Sequence, residues 1–423
     1  MRVAFKTFGC RLNQAETEQF AADFTSAGWH VVPPAAPADV VVIHGCAVTH
    51  TAEQQGLQMA RSIKRTARMA GQQEPFVALV GCVVEADAAR RAVAGVDLLV
   101  TRDGKDRLAA IVQAHLSARA LPAHALPELP DPSIRPRRKR ALLKVQDGCD
   151  FFCSYCIVPH TRGLPVSRPW QQVLDEARAL SQAGFSELVV TGCNMACYRD
   201  GTRGLPDLLA ALVSIAEVPR LRLGSIEPAT SELEIIELMS SCSKICRHLH
   251  LPLQSGDAAT LRRMRRRYTP ESYAAIVQAA MRRLPDLGLG TDLIVGFPGE
   301  SDESFARTIQ FVESLPFSNL HVFPYSARPG TTAAELPEAV PPAVRKARAQ
   351  ELLRLREEKR RAFALQFVGR PVDVLIERLD TDGFGCGWSG AYLDCRVPGI
   401  SRSQRGRIVR FTPTGVGESG ALV

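Results

Sequence analysis

Cys149-Asp-Phe-Phe-Cys153-Ser-Tyr-Cys156 sets three cysteines in one short loop, at a spacing that can hold three corners of an iron–sulfur cube. The fourth iron is then left without a protein ligand, so a further molecule can bind there. Three buried or zinc-bound cysteines are the alternative. Structural zinc sites usually show two CxxC-type pairs or Cys/His pairs, and no histidine partner stands at such spacing here.

Upstream of this loop, residues 1 to about 120 alternate short apolar runs with helical stretches. Val3–Phe8, Asp39–His44, Pro75–Val80 and Val96–Thr101 are the expected strands, in the pattern of a parallel α/β sheet. Three of them run into the same dipeptide, Gly9-Cys10, Gly45-Cys46 and Gly81-Cys82, at equal intervals along the chain. A parallel sheet puts the carboxyl ends of its strands on one edge, with neighbours about 4.8 Å apart, and ligands collect at that edge. Cys10, Cys46 and Cys82 can therefore converge as a second three-cysteine cluster site. Independent buried cysteines are the competing reading, since free cysteine packs as a small hydrophobe.

Leu121 to Arg137 is proline-rich without sustained periodicity and reads as an extended linker. The basic run Arg135-Pro-Arg-Arg-Lys-Arg140 follows, suited either to solvation or to phosphate contact. From residue 138 to about 366 a second α/β region is expected. Its strands are Leu142–Gln146, Glu187–Thr191, Arg220–Ser225, His248–Leu253, Gly290–Val295 and Asn319–Tyr325, each followed by a helical stretch. Six βα units in series predict a partial TIM-like barrel, with Cys149–Cys156 in the loop after the first strand, on the face where such barrels keep their active sites. Thr191-Gly-Cys-Asn194, Ser225-Ile-Glu227, Gln254-Ser255-Gly256 and Gly296-Phe-Pro-Gly-Glu300 also follow strands. Together they make a polar rim, although each alone is ordinary turn chemistry.

Pro341 to Phe367 is charge-rich and predicts a long helix. Beyond residue 367, Val372–Ile376, Gly383–Trp388, Leu393–Val397 and Arg407–Thr412 alternate apolar and polar residues like short antiparallel strands of a small β-barrel. Arg396, Arg402, Arg405, Arg407 and Arg410 fall there without an intervening acid. Small barrels with a basic face often bind RNA; a solvated surface is the plainer reading.

Composition agrees with a folded, multi-domain α/β protein. The chain has 423 residues, 46% hydrophobic and 23% charged, with a net charge of +8 that suits an acidic partner such as nucleic acid. No apolar run is long enough for a membrane span, and Val3–Phe8 begins at once without a signal-peptide pattern, so a cytoplasmic protein is expected. Twelve cysteines in such a chain favour metal or redox chemistry over a disulfide framework. Cys193, Cys197, Cys242, Cys246, Cys386 and Cys395 lack a third partner and read as reduced structural thiols.

This assembly resembles the radical S-adenosylmethionine (SAM) methylthiotransferase family over nearly the whole chain. CxxxCxxC with an aromatic before its last cysteine resembles the radical SAM signature, and 367–423 looks like a TRAM domain. Phe5-Lys-Thr-Phe-Gly-Cys-Arg-Leu-Asn13, Lys144-Val-Gln-Asp-Gly-Cys149, Met264-Arg-Arg-Arg-Tyr268 and Leu320-His-Val-Phe-Pro-Tyr-Ser-Ala-Arg-Pro-Gly330 are most similar to the branch that modifies N6-threonylcarbamoyladenosine (t6A) in tRNA. Where family members commonly have Asn-Thr before the second cysteine, this chain has His44-Gly45, so hydrogen bonds around that cysteine should differ.

The resemblance implies two [4Fe–4S] clusters, SAM at the open iron of Cys149/Cys153/Cys156, and sulfur handling at Cys10/Cys46/Cys82. It also implies tRNA as substrate, a reducing electron donor and a sulfur source. Tyr155 is a candidate to pack on the adenine of SAM, and Asn194, Ser225, Glu227 and Gln254 are candidate polar contacts. Arg137, Arg138, Lys139, Arg140 and the Arg396–Arg410 patch are candidate phosphate contacts. Competing readings are methylthiolation of isopentenyladenosine or of a ribosomal-protein aspartate, and a non-catalytic iron–sulfur carrier or RNA-binding scaffold.

Overall fold

Val40–Gly45 and Phe76–Gly81 are buried along their whole length, as strands covered on both faces must be. They are β3 and β4 of a five-stranded parallel sheet in the order β2-β1-β3-β4-β5, with β1 at Arg2–Thr7, β2 at His30–Val32 and β5 at Leu98–Val100. Helices α1 (Arg11–Ser26), α2 (His50–Met69), α3 (Cys82–Glu85) and α4 (Leu108–Ala118) alternate with these strands. One face packs Val40, Val42, Ala78 and Val80 against Phe20, Phe24 and Val112; the other packs Val41, Ile43, Val77 and Leu79 against Leu57 and Ala60. The apolar pattern does not mark β2, because the strand is three residues long and two of them are exposed.

The computed structural model describes residues 1–86, 93–118, 139–228 and 232–423. The expected linker at 121–137, with Arg137 and Arg138, lies outside the described residues. Two compact units are present. The first joins the sheet above to Gly148–Leu164, which holds the CxxxCxxC loop and α5 (Val158–Arg162), and to Ser326–Ala334.

The second unit carries six parallel strands in sequence order: β6 (Arg140–Lys144), β7 (Glu187–Thr191), β8 (Leu221–Leu223), β9 (His248–His250), β10 (Gly288–Val295) and β11 (Asn319–Pro324). They form two three-stranded ladders joined by parallel bridges Leu221↔Ile245 and Ser225↔His250, so the array runs from β6 to β11 without reversal. Leu143, Leu188, Val190, Leu221, Leu223, Leu249, Leu289 and Leu293 share one core. The core is completed by helices, among them α6 (Trp170–Gln182), α7 (Leu205–Ser214), α8 (Glu232–Ser241), α9 (Pro270–Arg283) and α10 (Asp302–Ser314). This is the α/β architecture of a partial barrel.

The same unit continues through α11 (Pro342–Leu365) into a four-stranded antiparallel sheet. Its strands are β12 (Val372–Leu379), β13 (Gly385–Ser389), β14 (Asp394–Val397) and β15 (Ile408–Phe411), in the order β14-β13-β12-β15. Val372, Val374, Ile376, Leu393, Cys395 and Leu422 close on Phe363 and Phe367, so the end of α11 is part of the small domain's own core. Among the described residues, no helix is long and apolar enough to cross a membrane.

A buried ionic knot ties this small sheet to the barrel strands. Glu187 at the start of β7 is fully buried; Arg220 Nε donates to its Oε2 at 2.6 Å and Arg222 Nε to its Oε1 at 2.8 Å. The same guanidiniums donate to the carbonyls of Asp373, Trp388, Ser389 and Gly390. Burial alone would push the Glu187 carboxyl up, but the charges of Arg222 and Arg220 outweigh it and hold it down at about 2. A depressed native value means that the stabilisation is complete above the ordinary carboxyl range near 4.5 and is lost as pH falls toward about 2. Glu187→Gln should therefore cost about 3–5 kcal/mol, because two buried guanidiniums lose their counter-charge. Urea unfolding at neutral pH checks this, and the difference from wild type should shrink as pH falls through that window.

Candidate functional site

The Gly-Cys dipeptides stand at the carboxyl ends of three adjacent strands, β1, β3 and β4, and Gly45 lies directly opposite Gly81 in the β3/β4 register. Cys10 is the N-cap of α1, Cys46 follows β3, and Cys82 opens α3. Cys46 and Cys82 are each 4% exposed, whereas Cys10 is exposed. Gly9 has φ +97°, and a Cβ there would lie 2.8 Å from Cys46 Sγ; Gly81 has φ +106°, and a Cβ there would lie 2.4 Å from the Gly45 carbonyl. Both positions thus require glycine, for backbone angle and for space. Burial pushes the Cys46 thiol up to about 11, so binding a metal centre at this thiol displaces a proton.

The second triad lies in the same unit. Cys149 N–H donates to Gly163 O at 3.0 Å and Cys156 N–H to Cys153 O at 2.9 Å, closing the loop on itself. Phe152 holds φ +47°, a left-handed angle that turns the chain between the first two cysteines. Ala333 N–H donates to Ser154 O at 2.7 Å. Its segment is anchored by Arg328, whose buried guanidinium donates to buried Glu53 on α2 at 2.5 Å. That gives a structural task to the arginine of Ser326-Ala-Arg-Pro-Gly330.

Beneath both triads lies a charged cluster that the sequence did not single out. Glu16 on α1 accepts from Arg162 Nη1 and Nη2 at 3.1 Å each and from Lys105 Nζ at 3.2 Å, all three residues being buried. Arg162 belongs to α5, the helix that follows Cys156, and α5 packs on α3, which begins with Cys82. Arg162 also donates to Asn13 Oδ1 at 2.5 Å. Asn13 Nδ2 in turn donates to Phe8 O at 2.9 Å, and the Cys10 thiol lies 3.7 Å from Asn13 Oδ1.

His44, just before Cys46, joins the same cluster. Its Nδ1 lies 3.0 Å from Thr17 Oγ1 and its Nε2 3.3 Å from Glu16 Oε2, so the ring extends the cluster to the strand that ends in Cys46. Burial holds this imidazole below its usual value, against the opposing pull of Glu16.

The polar rim belongs to the second unit. Asn194 is buried, and its N–H donates to Gln146 Oε1 at 2.9 Å. Ser225 is exposed. Gln254 takes φ +68° and exchanges backbone bonds with the Asp292 carbonyl and Ile294 N–H. Glu227 is ion-paired with Arg266, whose guanidinium stacks over Tyr268 at 4.9 Å, which engages its carboxylate inside the protein. Tyr155 is half-buried in the loop of the first unit.

The basic candidates divide in the same way. Arg140 forms a two-pronged pair with Glu377 at 2.8 and 3.3 Å. Arg396 pairs with Asp380 at 2.7 Å and with Asp382, and lies over Phe384 at 4.0 Å. Arg402, Arg405, Arg407 and Arg410 are exposed. All twelve cysteines are free of disulfides.

A family model described as the Radical SAM superfamily matches residues 143–312, and one described as Uncharacterized protein family UPF0004 matches residues 2–100. The Threonylcarbamoyladenosine tRNA methylthiotransferase MtaB of Bacillus subtilis is 35% identical over 389 residues, which cover 89% of this chain and 84% of that protein. The chain belongs to the radical SAM tRNA methylthiotransferases. A tRNA-2-methylthio-N(6)-dimethylallyladenosine synthase of Zymomonas mobilis is 34% identical over 383 residues, covering 88% of this chain and 85% of that one. Among solved structures, the radical SAM methyltransferase TsrM of Kitasatospora setae has a TM-score of 0.59 at 14% identity, covering 79% of this chain and 77% of that chain, a likeness of fold.

Radical SAM methylthiotransferases use SAM and a [4Fe–4S] cluster, and carry a second cluster. The two donor sets suit such groups: each offers three thiols outside any disulfide, and glycine at position 9 keeps a side chain out of the space beside Cys46. The Glu16 cluster yields a check of its own. Arg162→Met should cost about 3–5 kcal/mol in urea unfolding, since buried Glu16 would lose its two-pronged partner; a loss below about 1 kcal/mol, the range of a surface pair, would show that Arg162 is dispensable.

Proposed function

We propose that this methylthiotransferase acts on t6A at position 37, beside the anticodon of tRNA, and places the methylthio group at C2 of the purine. The reading rests on Leu320–Gly330, which with Phe5–Asn13, Lys144–Cys149 and Met264–Tyr268 resembles the t6A branch. The name of the Bacillus subtilis relative points the same way. The second reading, isopentenyl (dimethylallyl) adenosine, is favoured by the Zymomonas mobilis relative at nearly equal identity.

In this proposal Cys149, Cys153 and Cys156 hold the cluster that binds SAM, and Cys10, Cys46 and Cys82 hold the cluster that handles sulfur. SAM bound at such a cluster supplies the radical chemistry that an unactivated purine C–H bond demands. The chain's own part is to fix the thiols and exclude competing contacts: glycine at position 9 keeps room beside Cys46, glycine at position 81 lets β4 lie close to the Gly45 carbonyl, and Arg162 holds the helix after Cys156 onto Glu16. Tyr155, Asn194, Ser225, Glu227 and Gln254 are assigned to orienting SAM, with Glu227 acting through its pair with Arg266.

Lys139, Arg402, Arg405, Arg407 and Arg410 are assigned to tRNA phosphates, as are Arg137 and Arg138 from the sequence alone. Arg140 and Arg396 are assigned a weaker share because Glu377, Asp380 and Asp382 already take part of their charge. The division of labour follows the chain: residues 1–120 for sulfur, 121–137 as linker, 138–366 for SAM and 367–423 for RNA. A reducing donor and a sulfur source complete the reaction, in the cytoplasm where tRNA is available.

Nucleoside mass spectrometry of tRNA from a strain lacking the gene tests the substrate. Loss of 2-methylthio-t6A with t6A retained is expected. Loss of the 2-methylthio isopentenyl nucleoside alone would establish the second reading, and an unchanged profile would overturn both.

A further inference from the structure

Three donor-bearing residues, none of them a cysteine, meet on neighbouring strands of the second unit. His250 closes β9, Asp292 lies in the middle of β10 and His321 lies on β11. The parallel registers His250↔Gly290 and Asp292↔His321 bring them side by side. Leu289, Leu293 and Val295 of β10 enter the hydrophobic core, so Asp292, alternating with them, is on the opposite face of the strand.

His250 Nε2 lies 3.0 Å from Asp292 Oδ1, and His321 Nδ1 lies 3.2 Å from the same oxygen. One ligand atom from each of the three residues falls within 4.8 Å of the other two, an arrangement found nowhere else among the described residues. The imidazole rings stack at 5.0 Å and 28°. Gly290 makes the approach possible, because a Cβ there would come within 2.8 Å of His250 Nδ1. The cluster is graded in depth: the His250 side chain is 9% exposed, Asp292 24% and His321 47%, so one side faces solvent.

Donors bound to one ion at about 2.1 Å stand about 3.0–3.4 Å apart for angles between octahedral and tetrahedral. The two nitrogen–oxygen separations fall at that spacing with the side chains as they are. Two imidazoles and one carboxylate suit zinc, cobalt or ferrous iron, whereas magnesium and calcium prefer oxygen ligands throughout. Three protein ligands leave at least one position for water or an oxygen donor.

We propose that His250, Asp292 and His321 form a third metal site, for a divalent transition metal of the zinc class, built without any cysteine ligand and open toward solvent. The site is independent of which adenosine derivative is the substrate. A hydrogen-bonded imidazole–carboxylate chain without metal is the competing outcome.

The test uses the full chain after anaerobic cluster reconstitution, exposed to zinc chloride and then dialysed. Zinc and iron are counted by mass spectrometry in the wild type, His321→Ala and Asp292→Asn. Wild type should retain about one zinc more per chain than either variant, with equal iron in all three. X-ray absorption at the zinc edge should show nitrogen and oxygen neighbours at about 2.0–2.2 Å. His321 is the exposed member, so its variant keeps the comparison valid if Asp292→Asn fails to fold. Equal zinc in wild type and His321→Ala, or a sulfur shell at about 2.3 Å marking zinc on cysteines, would overturn the proposal.

Discussion

Strands that run parallel must all deliver their carboxyl ends to one edge of the sheet, and here three adjacent ends carry glycine followed by cysteine. Pairing β1, β3 and β4 in parallel register is enough to gather Cys10, Cys46 and Cys82, which lie far apart along the chain. The hydrophobic faces of β3 and β4 fix that register, since a one-residue slip would turn their side chains to the wrong layers. The thiols thus depend on the core for their meeting place, and on glycine at position 9 for room beside Cys46.

A second level of organisation is ionic. Glu16 draws Arg162, Lys105 and His44 together beneath the two triads, and Glu187 draws Arg220 and Arg222 together where the small antiparallel sheet meets the barrel strands. Buried charges of this kind add little net stability compared with apolar packing, but removing one partner is costly. Displacing an element that carries one member would leave the others buried without their counter-charge.

Much of the architecture was legible because the periodicities are strong. The apolar runs at residues 40–43 and 76–80, the repeated Gly-Cys endings and the six βα units all leave signals within a few residues. The short strand β2 left none. Several expected strands are also trimmed in the structure: Arg220–Ser225 is observed as Leu221–Leu223, with Ser225 keeping only an isolated bridge to His250. The ionic clusters were illegible for a different reason. Glu16, Arg162 and Lys105 look like surface residues in sequence, and only the packing of α1, α5 and the segment before α4 buries them. Arg396 illustrates the converse. In the linear chain it heads an acid-free basic stretch, but strand pairing brings it to Asp380 and Asp382.

In the proposed function the two cysteine triads carry different tasks within one reaction. Reconstituted Cys149→Ala and Cys10→Ala proteins, assayed for SAM cleavage and for methylthio-nucleoside in tRNA, separate those tasks most directly. Cys149→Ala should lose both activities, while Cys10→Ala should cleave SAM and leave the tRNA unthiolated. Thiolation by both variants, or SAM cleavage without Cys149, would contradict the division.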